Sequence, residues 1–363
     1  MPQCRSGKRG ATLGLLKSIQ TLFIMLGLSA CNVYELESFA LENQDRSENG
    51  DYGSGISGGY TSPILVFHHI IQGGRSDMSG ITGSLTRFLI GNADEFSFRR
   101  PVAVAGTGDY LFIVDAGDRV VFKYNIKKNK LKAIGNVGVQ FVGDLGNIFV
   151  AKDQSFYMVD SDGKQVFHFS ASGDVLNVFS DPANLSRPID VLVDESNGEI
   201  LVADGSYSHI VVFNPDGRTL RAIGRRGPQN SRKPGTFRAI TNMTLARDGL
   251  YVLDRLVLPI QVLANDGRFQ YSFGESEQVW PTAIAVSEDQ YVFVSDKSDN
   301  IIRIYKQGDL LGQVGGGGAA LGRYRIITGL WAHDGFLYVA DSLNRRIQVL
   351  KIQGEKPLPT QLE

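Results

Sequence analysis

An aspartate that follows a short apolar run recurs six times in this chain. Its six copies are Asp115, Asp160, Asp204, Asp254, Asp296 and Asp341. Successive copies are separated by 45, 44, 50, 42 and 45 residues. A period of about 40 to 45 residues that carries several short strands is typical of the blades of a β-propeller. The spacing therefore predicts an all-β fold, a six-bladed β-propeller.

Each repeat contains four short segments that are predicted to form the strands of one antiparallel sheet. In the third repeat, apolar residues 189–193 precede the strand that ends at Asp204, and residues 210–213 and 220–224 follow it. Each run is short and bounded by Pro, Gly or polar residues, as expected of a buried strand. The Pro-Asp-Gly turn at residues 215–217 accepts the backbone angles of a tight hairpin. One repeat therefore predicts one blade.

The two ends of the repeat array indicate how the ring closes. The last repeat stops after its third strand, near Lys351, and a fourth-strand phrase stands alone at residues 87–91, before the first repeat. An amino-terminal strand that completes the last blade would remove the exposed sheet edges. We therefore expect a propeller over residues 85–352, closed in its last blade by residues 87–91. Residues 63–84 are expected to form an extra strand and a loop, and residues 353–363 a carboxy-terminal tail.

Two repeats carry a family resemblance. The sixth reads LYVADSLNRRIQVL from Leu337 to Leu350, and the third combines RPIDV from Arg187 with VAD ending at Asp204. These phrases resemble the consensus of the NHL-repeat family of β-propellers. The resemblance implies the fold and leaves the function open, because the family includes RNA-binding and protein-binding modules, an amidating lyase domain and bacterial surface proteins.

The first 30 residues have the pattern of an export signal. Four basic residues precede an apolar run at residues 22–30, which is far shorter than the roughly 20 apolar residues of a membrane-spanning helix. The run ends in Leu-Ser-Ala-Cys, which resembles the lipobox of bacterial lipoproteins. The resemblance implies that residues 1–30 are removed and that Cys31 carries a lipid. An ordinary cleavable signal followed by an incidental cysteine is the alternative.

The expected mature chain is acidic and tethered. The full chain has 37 basic and 38 acidic residues. Removal of residues 1–30 takes away four basic and no acidic residues, which leaves 33 basic and 38 acidic residues and a net charge of −5. Such a surface gives no broad attraction to nucleic acid. Residues 31–62 are polar and then Gly/Ser-rich, a composition typical of a flexible tether. Asn32, rather than Asp, follows the cysteine, which by resemblance favours the outer membrane in a Gram-negative source.

Alignment of the repeats predicts a polar cluster in the central channel. The residues at equivalent positions, near the start of each innermost strand, are Ala103, Asn147, Asp190, Asn242, Ala283 and Gly329. Asn147, Asp190 and Asn242 come from consecutive blades, and Ca²⁺ accepts such oxygen ligands. Six-bladed lactonases of the gluconolactonase and paraoxonase type hold a metal in a similar position, although they also use a Glu that has no counterpart here. The alternative is that these residues cap strand ends and bind channel water.

The loops that precede the innermost strands predict a second candidate site, a binding rim. Its members are Arg99, Arg100, Arg187, Arg238, Arg325, Trp280 and Tyr324. Loops on one face of a rigid scaffold commonly carry binding residues, and arginines beside aromatic rings suit an anionic glycan or an acidic protein. The alternative is that the arginine stems cover apolar surface while their charges stay solvated. The six repeated aspartates are expected to be structural and to accept backbone hydrogen bonds in the turns that follow them.

Two functions follow from these sites. The preferred one is a non-catalytic binding scaffold: a monomeric propeller, lipid-anchored at Cys31 outside the cytoplasm, that binds an envelope protein or polysaccharide through the rim. The alternative is a Ca²⁺-dependent hydrolase, lactonase or lyase with its site in the channel. No cofactor other than this candidate Ca²⁺ is expected.

Overall fold

The computed structural model describes residues 39–40, 64–75, 95–135, 137–229, 232–277 and 279–354. The expected export signal, Cys31, most of the tether and the expected closing strand at residues 87–91 lie outside the described residues. Within the described residues the fold is all-β, with two short 3₁₀ helices at Gly138–Gln140 and Ser342–Asn344 and no α-helix. No helix in this part of the chain is long and apolar enough to cross a membrane.

Among the described residues, four strands precede the first complete blade. They are β1 (Phe39–Ala40), β2 (Leu65–Ile71), β3 (Gly73–Arg75) and β4 (Glu95–Ser97). Strands β3 and β4 pair with each other as a separate antiparallel ribbon. Strand β1 pairs with β2, which belongs to the last blade.

The remaining strands form six antiparallel blades, numbered in chain order. Blade 1 contains β5 (Pro101–Thr107), β6 (Tyr110–Asp115), β7 (Val120–Asn125) and β8 (Lys130–Ile134). Blade 2 contains β9 (Ile148–Val150), β10 (Phe156–Asp160), β11 (Gln165–Phe169) and β12 (Val175–Ser180). Blade 3 contains β13 (Pro188–Asp194), β14 (Glu199–Asp204), β15 (His209–Phe213) and β16 (Thr219–Ile223).

Blades 4 to 6 repeat this order. Blade 4 contains β17 (Ile240–Ala246), β18 (Gly249–Asp254), β19 (Ile260–Leu263) and β20 (Phe269–Phe273). Blade 5 contains β21 (Pro281–Val286), β22 (Val292–Asp296), β23 (Ile301–Lys306) and β24 (Asp309–Gly315). Blade 6 contains β25 (Ile327–His333), β26 (Phe336–Asp341) and β27 (Arg346–Ile352). The six-bladed β-propeller expected from the repeat spacing is thus confirmed.

An amino-terminal strand completes blade 6, as expected, but it is not the strand that the sequence pattern suggested. Strand β2 pairs antiparallel with β27, from Leu65 opposite Ile352 to Ile71 opposite Ile347. Leu65 and Phe67 of β2 are fully buried in the core that blades 5 and 6 share. Strand β2 therefore occupies the position in blade 6 that the sequence analysis gave to residues 87–91, which lie outside the described residues.

The hydrophobic core lies between neighbouring blades. Ala203 and Val212 of blade 3, for example, pack in one cluster with Phe237 and Val252 of the next blade. Every sheet therefore has apolar side chains on both faces, and the second strands, such as β14, are buried along nearly their whole length. This arrangement explains why the strands read as continuous apolar runs instead of alternating patterns.

Candidate functional site

Each repeated aspartate joins two loops on one face of the ring. In blade 3, Oδ2 of Asp204 accepts the backbone N–H groups of Ser186 and Arg187, both at 2.7 Å. Oδ1 accepts those of Ser206 and Tyr207, at 2.8 and 2.6 Å. One fully buried carboxylate therefore ties the loop before β13 to the turn after β14. We call the side of the ring that carries these loops the aspartate face.

The other blades repeat this arrangement. The residues whose backbone N–H groups reach a repeated carboxylate from the preceding loop include Arg99 and Arg100 in blade 1, Val142 in blade 2, Arg187 in blade 3, Arg238 in blade 4, Trp280 in blade 5 and Arg325 in blade 6. The expected hydrogen bonds to the following turn are also present in blade 3 and, for example, at Gly117 and Leu256. The loop before each blade is an additional partner that the sequence did not reveal.

The predicted rim arginines therefore occupy two adjacent positions of this loop. Arg100 and Arg187 lie one residue before the residue that pairs with the repeated aspartate, and Arg99, Arg238 and Arg325 lie two residues before it. Their side chains also differ in charge balance. Arg99 forms an ion pair with Asp118 at 2.9 Å, and Arg100 pairs with Asp144 at 3.0 Å. Arg187 and Arg325 are exposed and form no ion pair with any described residue. Among the described residues, the charges of Arg99 and Arg100 are therefore paired and those of Arg187 and Arg325 are not.

Arg238 is the half-buried member of the rim. Its Nε atom is inaccessible to solvent and has no hydrogen-bond partner among the described residues. Its backbone carbonyl accepts a hydrogen bond from the Ser208 hydroxyl at 3.1 Å. Blades 3 and 4 are thus connected beside this arginine, which holds it close to the Asp204 loop.

Trp280 is the exposed aromatic residue of the rim, and two cations lie against it. The Arg255 guanidinium carbon is 4.3 Å from the centroid of the Trp280 ring, and the Lys297 Nζ atom is 5.7 Å from it. Trp280 remains 45% exposed and lies next to Val279, which is 67% exposed. Together these residues form a surface that is both apolar and cationic, which suits a ligand with an apolar part and a negative charge.

Tyr324 does not lie on this surface. It is fully buried, and burial raises the pKa of its hydroxyl. Its ring packs on Gly315, where a Cβ atom would come within 2.9 Å of it, and Phe237 packs on Gly224 in the same way. The assignment of Tyr324 to the rim is therefore wrong, because neighbouring residues in an extended segment point in opposite directions and Arg325 takes the outward one.

The innermost strands line a narrow central channel with a cavity of about 210 Å³. The alignment behind the polar cluster is correct: Asp190 lies opposite Ala203 and Asn242 opposite Leu253, each the residue before a repeated aspartate. Asn147, Asp190 and Asn242 all line the channel. The rest of the wall is largely apolar and includes Phe149 and Trp331.

A chain of hydrogen bonds runs through the polar cluster from blade to blade. Asn147 bonds to Asp190, whose Oδ2 atom accepts the Asn242 side-chain amide at 2.6 Å and the Met243 backbone N–H at 2.7 Å. The Asn242 Oδ1 atom accepts the N–H of Ile284 in blade 5 at 2.8 Å. Burial raises the pKa of Asp190 to about 7, although these hydrogen bonds act in the opposite direction.

The predicted Ca²⁺ site stays a prediction. Asn242 presents its amide nitrogen to Asp190 and its oxygen to Ile284, so this residue would have to exchange its partners in order to bind a cation. In the part of the chain that the structure describes, no group of three or more His, Cys, Asp and Glu side chains is arranged to hold a metal ion. The cluster as it stands links blades 2 to 5.

Sequence reasoning missed Arg255 and Lys297 as members of the aspartate face. Each directly follows a repeated aspartate, and its backbone N–H bonds to the carbonyl of Ala239 or Trp280, respectively, in the loop that the aspartate holds. The position after the repeated aspartate therefore lies on the same face as the rim. The position directly after each repeated aspartate could have been identified from the sequence alone.

Comparison with known proteins identifies relatives of the fold. No family model matches the chain. Virginiamycin B lyase from Staphylococcus aureus superimposes with a TM-score of 0.52 at 12% identity, over 70% of this chain and 96% of that one. A protein of unknown function from Bacteroides thetaiotaomicron gives a TM-score of 0.53 at 15% identity, over 70% of each chain. At such low identity the similarity shows a shared fold.

Two curated enzymes match part of the sequence. Peptidyl-glycine alpha-amidating monooxygenases B and A of Xenopus laevis are 28% identical over 141 residues and 31% identical over 117 residues. These matches span 36% and 29% of this chain. They amount to only 16% and 12% of the length of the enzymes.

Proposed function

We propose that this chain is an exported, lipid-anchored binding scaffold whose aspartate face binds an anionic partner of the cell envelope, either an acidic protein segment or an anionic glycan. The observation that carries the proposal is the fixed backbone of the rim. Six buried carboxylates hold the backbone of one loop per blade, and most of these loops carry Arg or Trp at a residue whose N–H group the carboxylate binds.

A rim of this kind reduces the entropic cost of binding. The repeated aspartates hold the backbone before a ligand arrives, so only the ends of the side chains remain to be ordered. Arg187 and Arg325 supply charges without an ion-pair partner among the described residues, while Trp280 supplies a flat apolar contact. Arginine and tryptophan are also the residues that most often dominate binding energy at interfaces.

The test compares rim variants with a matched arginine on the opposite side of the ring. Because the repeated aspartates bind the backbone N–H groups, Arg187→Ala and Arg325→Ala leave these hydrogen bonds in place. Arg218 is exposed in the β15–β16 turn, and Arg218→Ala is the control. The probes are poly-glutamate and alginate, with neutral dextran as the uncharged comparison, and binding is measured by calorimetry at two salt concentrations.

We expect the Arg187→Ala/Arg325→Ala double variant to bind an anionic probe about tenfold more weakly than the wild type, since an exposed ion pair contributes up to about 1 kcal/mol. Arg99→Ala/Arg100→Ala should have a smaller effect, because those charges are already paired. Equal binding by all four proteins, or equal binding of dextran and the anionic probes, would contradict the proposal.

The lipid anchor has a separate test. Cys31→Ser should abolish incorporation of labelled fatty acid and release the protein from the membrane fraction. Unchanged membrane association would contradict the anchoring part of the proposal and leave the binding face untouched. In a Gram-negative host, density fractionation should recover the wild type with the outer membrane.

A second candidate is a lyase or metal-dependent hydrolase with its site in the channel. The observation that favours it is Asp190, a channel carboxylate whose pKa is raised to about 7, near the pH at which a general base works well. Elemental analysis and Ca²⁺ titration of the wild type and of Asp190→Asn test this candidate. Stoichiometric metal that the variant loses would favour it, and would justify a screen of lactones and esters.

A further inference from the structure

A second basic site lies between blades 1 and 2, at the end of the blades opposite the aspartate face. Strand β6 ends at that face, so β7 runs away from it and the β7–β8 turn lies on the other side. Here a cleft of about 410 Å³ opens. Its charged and polar lining consists mainly of Lys123, Lys128, Lys130, Lys132, Asn125 and, from blade 2, Ser172.

The cleft concentrates like charges within one hairpin. Lys123 of β7 lies directly opposite Lys132 of β8, and Asn125 lies opposite Lys130. Since side chains two residues apart share one face of a strand, these four residues point to the same side. Like charges directly opposite each other destabilise a sheet, so this pair of lysines destabilises the hairpin when no counter-ion is bound.

Lys123 is held in position by both blades. Its Nζ atom lies 4.6 Å from the centroid of the Tyr110 ring and 2.6 Å from the Gln154 Oε1 atom of blade 2. Burial and the neighbouring charge of Lys132 lower its pKa. The cation is therefore fixed beside a low-dielectric wall, which strengthens its attraction for an anion.

Two carboxylates near the cleft, those of Asp109 and Asp174, have partners of their own. Asp109 pairs with Lys127 at 2.9 Å, and Asp174 accepts the hydroxyl of Ser172 at 2.7 Å. Among the described residues that line the cleft, none is acidic. The site thus collects four lysines in a chain that carries slightly more acidic than basic residues, 38 against 37.

We propose that this cleft binds a multiply charged anion, a phosphate or sulfate ester. Lysine ammonium groups bind phosphate as point charges, and several of them around one cleft focus the field on a ligand inside it. The Asn125 side-chain amide adds a hydrogen-bond donor at the side. This proposal is independent of the aspartate face, which lies on the other side of the ring.

The test uses the intact chain in mild detergent and titrates it with inorganic pyrophosphate. Sucrose octasulfate and vesicles of phosphatidylcholine, with and without phosphatidylglycerol, distinguish a free ester from a lipid headgroup. The variant is Lys123→Gln/Lys132→Gln. The control is Lys306→Gln, because Lys306 also belongs to the third strand of a blade and its Nζ atom also lies over a tyrosine ring, that of Tyr291, at 4.4 Å.

We expect at least one probe to bind to the wild type and to Lys306→Gln, and the double variant to lose about tenfold or more in affinity, since two charge-assisted contacts are removed. Binding should weaken as salt is added. Equal affinity in all three proteins, or no binding of any probe to the wild type, would overturn the proposal.

Thermal unfolding gives a second readout. Pyrophosphate should raise the Tm of the wild type, because a ligand that binds the folded state stabilises it, and should leave that of the double variant unchanged. Without ligand, Lys132→Gln alone should melt at the same temperature as the wild type or higher, since the repulsion between Lys123 and Lys132 is gone while the contacts of Lys123 with Tyr110 and Gln154 remain. A lower Tm of ligand-free Lys132→Gln would contradict the repulsion on which the site is argued.

Discussion

Two buried aspartates of this propeller, Asp296 and Asp190, have the same chemical group and opposite ionisation behaviour. Burial raises the pKa of both. At Asp296, hydrogen bonds from Ser298, Val279 and Trp280 outweigh burial and hold the pKa below its ordinary value. At Asp190 burial prevails and raises the pKa to about 7.

The difference follows from where each carboxylate lies. Asp296 lies beneath one loop of the aspartate face. Both of its carboxylate oxygens accept hydrogen bonds, one of them from the Ser298 hydroxyl. Asp190 lies in the channel wall, enclosed by the innermost strands. A carboxylate that organises a loop is therefore stabilised as an anion, whereas one enclosed in the core is held closer to its neutral form.

The largest expected effect is the loss of a repeated carboxylate. Asp204→Ala removes the acceptor of four backbone N–H groups and should lower the free energy of unfolding by about 4 kcal/mol, because buried donors are left unpaired. Urea denaturation measures the loss. Asp216→Ala, in the exposed β15–β16 turn, is the control and should change stability by less than about 0.5 kcal/mol. Equal losses of stability in the two variants would contradict a structural role of the repeated aspartate.

Asp190→Asn should change how stability depends on pH. A raised pKa in the folded state means that its stabilising contribution is complete below the unfolded pKa, near 4, and is lost as pH rises through about 7. The wild type should therefore lose on the order of 3 kcal/mol relative to Asp190→Asn between pH 5 and pH 8. Unfolding curves at both pH values measure this difference, and parallel behaviour of the two proteins would show that Asp190 is ionised normally.

Asn242→Ala tests whether the channel cluster links the blades. The substitution removes the donor to Asp190 and leaves the Ile284 N–H group without its acceptor, so we expect a loss of about 2 kcal/mol. Asn265→Ala, exposed in the β19–β20 turn, is the matched control. A loss as small as that of the control would mean that the hydrogen-bond chain contributes nothing to the ring.

Ser298→Ala should have the smallest effect. It removes one hydroxyl donor to Asp296, so the pKa of this carboxyl should rise towards its ordinary value and stability at pH 7 should fall by about 1 kcal/mol. Because the stabilisation from a lowered pKa disappears as pH falls, the two proteins should converge in acid. Ser276→Ala, in the exposed loop before blade 5, serves as the control, and a difference that persists below pH 3 would point to another cause.

The positions of most candidate site residues in the fold were predictable, and the exceptions have a common cause. The repeat register located the rim arginines and the channel residues Asn147, Asp190 and Asn242 correctly in the fold. The register does not determine which way a side chain turns, so Tyr324 was assigned to the surface although it packs on Gly315. The register also does not show which acidic residue lies near a given arginine, so the ion pairs of Arg99 and Arg100 could not be predicted from the sequence.

The sequence by itself determined the number of blades, their strand order and closure by an amino-terminal strand, because a period of apolar runs and turn residues is a local property that repeats. Only the tertiary structure decided which strand closes the ring, since β2 and residues 87–91 are both apolar and the choice depends on burial against β27. The lysine cleft is likewise a property of two packed blades. Neighbours in space, unlike neighbours in sequence, exist only after the blades have packed.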